Sequence, residues 1–217
     1  MINIEEQKSL FARIGKILPK RIEVYVIGGT AMMFLGLKEN TLDVDIVFSN
    51  PEDRRVFYES TKSVGFRDSS AEIVYGKKEN TPEMVTLDDV RFDLFLFKII
   101  TSTFSNGMKE RAIEIHEFGN FVIRVADPSD VIIMKSATSR EKDLEDIISI
   151  ARRVKIDWNI IIEEAKEQIK LGNEGAILEL GEKLEKLSSR KALDVPKEIL
   201  DKLWDLLVKQ VREKARK

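Results

Sequence analysis

The chain has 217 residues, of which 43% are apolar and 34% charged, so it can bury a core in one elaborated domain or two small ones. It lacks cysteine and has a single histidine, which excludes a disulfide scaffold, a thiolate zinc site and a multi-histidine metal centre. The net charge is −2, and neither a membrane-spanning apolar run nor a signal peptide is evident, so we expect a cytoplasmic protein with no membrane partner. Its chemistry must therefore depend on carboxylates, hydroxyls, lysine and arginine.

The first 126 residues predict an α/β domain in which short strands alternate with helices. Amphipathic or proline-initiated segments predict helices over 3–18, 31–36 and 51–65. Runs rich in β-branched and aromatic residues predict strands over 23–27, 42–48, 72–76, 84–87, 91–100 and 121–125. The strands at 72–76 and 84–87 are expected to form a hairpin, and His116 is expected in a surface turn.

The pattern changes at residue 127, beyond which nearly every segment has a helical period. Asp127, Pro128 and Asp130 supply an N-cap, a first-turn proline and an early acid, which together favour a helix start. The predicted helices cover 129–138, 141–154, 157–171, 174–187 and the stretch from Pro196 to the C-terminus. The sequence thus predicts a mixed α/β domain over 1–126 followed by a helical region over 127–217.

A glycine pair connects the strand at 23–27 to the helix that follows it. Gly28 and Gly29 permit a tight turn and a close approach of a ligand to the backbone. The free N–H groups at the start of a helix favour an anion such as phosphate, and Thr30 adds a hydroxyl donor. A tight loop without a ligand is the structural alternative.

Asp43 and Asp45 occupy alternate positions of the strand at 42–48, so their side chains share one face, about 6.6 Å apart along the strand. Burying two such carboxylates costs several kcal/mol unless a cation pairs with them, and Mg²⁺ prefers such oxygen ligands. A solvated edge strand is the alternative. The apolar residues on the other face are expected in the core: Leu42, Val44, Ile46 and Phe48.

Asp93 is a lone acid within the very apolar strand at 91–100. Because a buried carboxylate is costly without a partner, we infer that Asp93 meets Asp43 and Asp45 across neighbouring strands. Carboxylates that hold two metal ions about 3.5–4 Å apart are the arrangement used for in-line phosphoryl chemistry.

The glycine pair with its hydroxyl residue, the Asp-x-Asp strand and the later acid resemble the signature of the DNA polymerase beta-like nucleotidyltransferases. A second segment resembles the small prokaryotic branch of that superfamily, which includes AbiEii-type toxins. This segment contains Lys135, Ala137, Arg140, Lys142, Asp143, Asp146 and Ile147. The resemblance covers about residues 22–150, and Thr30 stands where serine is usual.

The resemblance implies a nucleotidyltransferase fold, with a mixed sheet and flanking helices. It also implies transfer of NMP from an NTP to a hydroxyl acceptor, with release of pyrophosphate. The metal, Mg²⁺ or Mn²⁺, would be held by Asp43, Asp45 and Asp93, and Asp93 would also deprotonate the acceptor.

The nucleotide phosphates would lie against a second set of residues. The resemblance places the terminal phosphates at Gly28, Gly29 and Thr30, and implies that Lys135 and Arg140 steady the triphosphate. An ordinary surface lysine is the alternative for Lys135. Helix-start capping by Asp143 and a salt bridge are the alternatives for Asp143 and Asp146.

Several alternatives stay open from the sequence. The acceptor is an RNA end, a protein side chain or a small molecule, and the oligomeric state is undetermined. A catalytically degenerate nucleotide-binding protein, or a toxin–antitoxin-type interaction module, is the rival function. High Lys and Glu content with no Cys is typical of thermophile proteins.

Overall fold

The computed structural model describes residues 1–136 and 140–215, which divide into two compact units. The first unit comprises Met1–Ile100 and Met108–Asp127. The second comprises Thr101–Gly107 and Pro128–Lys217. The short segment Thr101–Gly107 thus belongs with the C-terminal helices, although it lies within the predicted N-terminal domain.

The first unit contains a mixed sheet with flanking helices, which confirms the predicted fold class. Its strands are β1 (Ile2–Asn3), β2 (Ile22–Val26), β3 (Asn40–Thr41), β4 (Asp43–Phe48), β5 (Arg67–Ser69), β6 (Glu83–Leu87), β7 (Val90–Leu96), β8 (Lys98–Ile99), β10 (Glu114–Phe118) and β11 (Phe121–Val125), with β9 (Ser102–Thr103) in the second unit. The main sheet has the order β10-β11-β2-β4-β7-β6-β5, while β1 pairs with β3. The pairs β11–β2 and β4–β7 are parallel, and β2–β4 and β6–β7 are antiparallel.

The helices of the first unit are α1 (Ile4–Ile17), α2 (Gly28–Phe34), α3 (Pro51–Ser63) and α4 (Ala71–Tyr75), and α5 (Asn106–Arg111) spans the return from the inserted segment. Asn3 caps α1 in a capping box with Glu6, and Asn50 caps α3 ahead of Pro51. The core is rich in phenylalanine. The ring of Phe57 lies 5.0 Å from that of Phe121, centroid to centroid.

Three local predictions for this unit are wrong. The predicted strand at 72–76 is the helix α4, and β6 pairs instead with β5 and β7. His116 lies within β10, not in a turn, where its ring centroid is 4.8 Å from that of Phe34 and Nε2 is 2.7 Å from Glu114. Leu42 precedes β4 and is exposed, whereas Val44 and Ile46 are buried as predicted.

The second unit is helical, as predicted. Its helices are α6 (Pro128–Ser136), α7 (Glu141–Arg153), α8 (Trp158–Lys170), α9 (Glu174–Ser189) and α10 (Lys197–Lys214). Every residue of α6 from Ser129 to Ser136 is buried, and α6 packs against α7, α8 and α9. The predicted extension of this helix to 138 and the motif residue Ala137 lie outside the described residues, as do 216–217.

The inserted segment Thr101–Gly107 forms hydrogen bonds with α8 and with Asn173, the residue before α9. The backbone N–H of Thr103 donates to Gln168 Oε1 at 3.0 Å, and Gln168 Nε2 donates to the Thr103 carbonyl at 2.7 Å. Ser105 donates to the Glu164 carboxylate at 2.9 Å, and Asn173 donates to the Thr103 hydroxyl. These bonds satisfy polar groups that would be costly to bury alone.

Among the described helices, none is long and apolar enough to cross a membrane.

Candidate active site

The site is built on β4 and β7, which lie side by side and parallel. Their register places Asp43 opposite Arg91 and Asp45 opposite Asp93. Because alternate residues of a strand share a face, all four side chains project from the same side of the sheet. The placement predicted for Asp93, beside Asp43 and Asp45 on a neighbouring strand, is confirmed.

Asp93 is the buried member of the group, with no exposed surface. Arg91 binds both of its oxygens, with Nε 2.7 Å from Oδ1 and Nη2 3.0 Å from Oδ2. Tyr75, from α4, donates its hydroxyl to Oδ2 at 2.5 Å. Such charge-assisted and bidentate contacts fix the orientation of the carboxylate.

Asp43 is the more open carboxylate, with 18% of its side chain exposed. Nη2 of Arg91 donates to its Oδ2, so a single guanidinium bridges Asp43 and Asp93. The buried hydroxyl of Thr41 lies 3.4 Å from Oδ1 of Asp43. Arg91 therefore supplies one positive charge between two of the three carboxylates of this face.

The glycine pair allows α2 to approach the strand that carries the acids. Gly28 has φ +57°, and a methyl group there would collide with Oδ2 of Asp45 and lie 3.2 Å from its Cγ. A methyl group at Gly29 would collide with the Thr41 hydroxyl. The two glycines thus leave room for the polar side chains of this face, which is a concrete reason for their presence.

Thr30 follows the glycines but is fully buried, and its hydroxyl has no hydrogen-bond partner among residues 1–136 and 140–215. A buried hydroxyl without a partner costs free energy, so it is a group for which a ligand or water would supply a bond. In the conformation described here it is not on the surface.

The protonation of the site follows from its burial. Burial raises the pKa of the Asp93 carboxyl above its usual value, although the hydrogen bonds and charge of Arg91 oppose the shift. Burial and the charges of Asp45 and Asp93 raise the pKa of Tyr75 far above its usual value, so Tyr75 is a hydrogen-bond donor at neutral pH. Hydrogen bonding to Asp93 and the charge of Asp43 keep the pKa of Arg91 high despite burial.

The donor set, though not its arrangement, suits a divalent metal ion. Three carboxylates from adjacent registered positions are the hard oxygen ligands that Mg²⁺ prefers. Within residues 1–136 and 140–215, however, no three acidic or histidine side chains are grouped as metal ligands. In this arrangement Arg91 contacts both Asp43 and Asp93 and supplies one positive charge to them.

The predicted phosphate ligands Lys135 and Arg140 belong to the second unit, where both pair with acids. Nζ of Lys135, 8% exposed, lies 3.1 Å from Asp143 and 2.6 Å from Asp146. Arg140, whose side chain is 61% exposed, also pairs with Asp143, with Nε 2.8 Å from Oδ2. The salt-bridge interpretation of Asp143 and Asp146 is confirmed.

Sequence reasoning missed three residues of the site, namely Arg91, Tyr75 and Thr41. Arg91 had a detectable signal, because it stands two positions before Asp93 and so shares its face of the strand. Tyr75 had none, because its segment was taken for a strand. Thr41 is recognisable only once β3 and α2 are placed.

Comparison with solved structures shows which class of protein has this fold. The crystal structure of an antigenic nucleotidyltransferase-like protein from Paracoccidioides brasiliensis has a TM-score of 0.51 at 18% identity, and covers 91% of this chain and 98% of its own. ANT(2″)-Ia, solved in complex with adenylyl-2″-tobramycin, has a TM-score of 0.48 at 15% identity, and covers 83% of this chain and 98% of its own. No curated protein sequence matches the chain.

A family model shows to which class of protein the chain belongs. The family model described as "Nucleotidyltransferase of unknown function (DUF6036)" matches residues 6–176. The chain belongs to this family of nucleotidyltransferases, which confirms the superfamily that the motifs indicate.

Proposed function

We propose that the protein transfers a nucleoside monophosphate from an NTP to a hydroxyl acceptor in a reaction that depends on Mg²⁺ or Mn²⁺. The observation that carries the proposal is the convergence of Asp43, Asp45 and Asp93 on one face of β4 and β7, beside the turn at Gly28. Family membership supports the same reaction class.

Asp43 and Asp45, the acids on β4, would hold the metal, with Asp93 as a further ligand. The metal, when bound, would neutralise charge on the triphosphate and polarise its phosphorus–oxygen bonds. Asp93, held by Arg91 and Tyr75, would accept the proton of the acceptor hydroxyl. The acceptor oxygen bonds to the α-phosphorus, the α–β bridging bond breaks, and pyrophosphate leaves.

The phosphates of the NTP would approach the backbone at Gly28 and Gly29, where the absence of side chains permits close contact. Thr30 would contribute its unpartnered hydroxyl after a local movement. Of the two basic residues predicted to contact phosphate, Arg140 is exposed, whereas Lys135 is buried between two acids. The acceptor is an RNA end, a protein side chain or a small molecule.

A second function has one specific observation in its favour. In the structure the cation between Asp43 and Asp93 is Arg91, and a protein that stays in this state would bind partners or nucleotides without catalysis. This is the degenerate, toxin–antitoxin-type alternative. Metal-dependent turnover of NTP separates it from the enzyme.

Metal-induced stabilisation tests the site without knowledge of the acceptor. At a metal concentration about 100 times Kd, linkage adds roughly 2.7 kcal/mol to the free energy of unfolding. Asp43→Asn combined with Asp45→Asn should abolish this thermal shift and leave the protein folded. Asp88→Asn with Asp89→Asn removes the same charge from exposed positions of the same unit and should leave the shift intact. An unchanged shift in the Asp43/Asp45 double variant contradicts the metal assignment.

Asp93→Asn tests the chemical role of the buried carboxylate. Because Asp43 and Asp45 would still hold the metal, NTP affinity measured by calorimetry should change little. Loss of a general base lowers the rate by about 10²–10⁴-fold, so single-turnover transfer should fall by at least two decades. Acceptors come from a screen of each labelled NTP with Mg²⁺ and total RNA, protein or small hydroxyl compounds. If Asp93→Asn transfers NMP at the wild-type rate, Asp93 has only a structural role. If the wild-type protein binds NTP but does not turn it over, the binding module is favoured.

A further inference from the structure

We infer that Arg91 is the resident cation of the metal-free site and that a divalent metal ion displaces it from Asp43. The inference rests on the proposed function, since it concerns the same carboxylates. Arg91, which no sequence motif singled out, would then help to set the metal affinity of the site.

The geometry shows one guanidinium serving two carboxylates. Nε and Nη2 of Arg91 bind the two oxygens of Asp93, and the same Nη2 also donates to Oδ2 of Asp43. Arg91 thus takes up one of the two Asp43 oxygens. A metal ion that coordinates Oδ2 of Asp43 would compete for it with the guanidinium of Arg91. Metal binding at this oxygen therefore requires Arg91 to release it.

The electrostatics explain why the site needs a cation at all times. Asp93 has no exposed surface and stands in register with Asp45, while Asp43 lies one alternate position along the same strand. Desolvated like charges at such separations are costly without a counter-charge. Arg91 supplies one positive charge to Asp43 and Asp93 in the protein alone, and a divalent ion would supply two in the loaded protein.

Burial indicates which of the two contacts of Arg91 is released. The Asp93 contact is bidentate and is buttressed by Tyr75, whereas the Asp43 contact is a single hydrogen bond. Asp43 is 18% exposed and Arg91 20% exposed, so ions from solvent reach the site from the side of Asp43. Arg91 can therefore give up Asp43 and keep its hold on Asp93, because a long side chain can move without a change in the backbone.

The consequence is that Arg91 weakens metal binding, although its charge stabilises the apo fold. Removing a positive charge next to a cation site should tighten Mn²⁺ and Mg²⁺ binding by roughly tenfold or more, since two cations at contact distance repel. The same change should lower the apo melting temperature and so enlarge the metal-induced shift.

The test compares Arg91→Gln with the wild type by isothermal calorimetry and thermal melts, using Mn²⁺ and Mg²⁺ alone as probes. The matched control is Arg54→Gln. Arg54 is 21% exposed in the same unit and pairs with Glu83 at 3.2 Å. Arg91→Lys keeps the positive charge but loses the bidentate geometry of the guanidinium, so its metal affinity should lie close to that of the wild type. We expect tighter metal binding only in Arg91→Gln.

Each outcome has a defined meaning. Equal or weaker metal binding by Arg91→Gln, while the wild type binds, overturns the inference alone, because Arg91 would then position the ligands. Binding by Arg91→Gln but not by the wild type supports it. Absence of metal binding in both proteins overturns the inference together with the proposed metal site. If Arg91→Gln is unfolded without metal, folding on Mn²⁺ titration, followed by circular dichroism, supports the inference. Failure to fold at any Mn²⁺ concentration overturns it.

Discussion

Replacing Lys135 by methionine discriminates between a phosphate ligand and a structural cation. Nζ of Lys135 lies between Asp143 and Asp146, all three side chains being nearly buried. Methionine preserves much of the volume of the side chain but removes the charge that joins the two acids. The change should therefore act on the stability of the second unit, whatever its effect on nucleotide binding.

The size of the effect follows from burial. Breaking a buried ion pair by removing one partner costs about 3–5 kcal/mol, because it leaves a desolvated charge uncompensated. In a chain of this size that corresponds to a fall of roughly 6–20 °C in Tm. Arg140 still neutralises part of the charge of Asp143, which favours the lower end of the range.

A double-mutant cycle measured by denaturant unfolding and thermal melts supplies the assay. Adding Asp146→Asn to Lys135→Met should recover part of the lost stability, since the unpaired acid is then neutral. The control Lys186→Met breaks an exposed pair with Glu141 at 3.8 Å and should cost no more than about 1 kcal/mol. A loss below about 1 kcal/mol in Lys135→Met, with NTP affinity reduced at least tenfold, would refute the structural assignment.

The pH dependence of this contribution also has a definite sign. Burial lowers the pKa of Lys135, but the charges of Asp146 and Asp143 outweigh burial, and the pKa is raised above its ordinary 10.5. A raised pKa means that the stabilisation is fully present below pH 10.5 and is lost as the pH rises through the folded-state pKa. The stability difference between wild type and Lys135→Met should therefore stay constant from pH 6 to about 9.

Two matched pairs of glycine-to-alanine substitutions give further predictions. Gly28→Ala and its control Gly36→Ala both place alanine at a positive φ, which costs about 1–2 kcal/mol. Only the methyl group at position 28 would collide with Asp45, so only Gly28→Ala should lose the metal-induced thermal shift. Equal thermal shifts in the two variants would contradict the proposed site. Gly15→Ala places a methyl group 2.7 Å from the carbonyl carbon of Phe118 and should destabilise by about 1–3 kcal/mol, although alanine favours a helix, whereas Gly175→Ala meets open space and should be neutral or stabilising. Denaturant unfolding checks this pair, and an equal effect at both positions would show that the Phe118 backbone yields freely.

The acids of the site could be predicted from the sequence because each is anomalous in its surroundings. The alternation of Asp43, Val44, Asp45 and Ile46 fixed two faces of β4, and the isolation of Asp93 in an apolar run required a partner. These are local constraints with long-range consequences. Leu42 failed because the strand begins one residue later, so its side chain lies outside the alternation.

The counter-charge and the hydrogen-bond donor of Asp93 could not be predicted with the same certainty. Arg91 could equally have faced solvent at a strand end, and only the pairing of β4 with β7 brings it to Asp43. The β-branched run before Tyr75 favours a strand, but tertiary context makes it a short helix. Strand β10 was missed because the polar and apolar residues of Glu114–Phe118 do not alternate and none of them is buried.

Because Thr101–Gly107 belongs to the helical unit, the order in which the chain is synthesised affects how it folds. Neither unit is a continuous stretch of polypeptide, since the chain enters the second unit at Thr101, leaves after Gly107 and returns at Pro128. Synthesis of the about 66 residues between Gly107 and Asn173 takes roughly 3–13 s. During that time Thr103 cannot form its hydrogen bonds with Gln168 and Asn173. A chain cut at residue 127 would leave the Thr103 backbone without these partners permanently, and its two halves cannot be exchanged as independent cassettes.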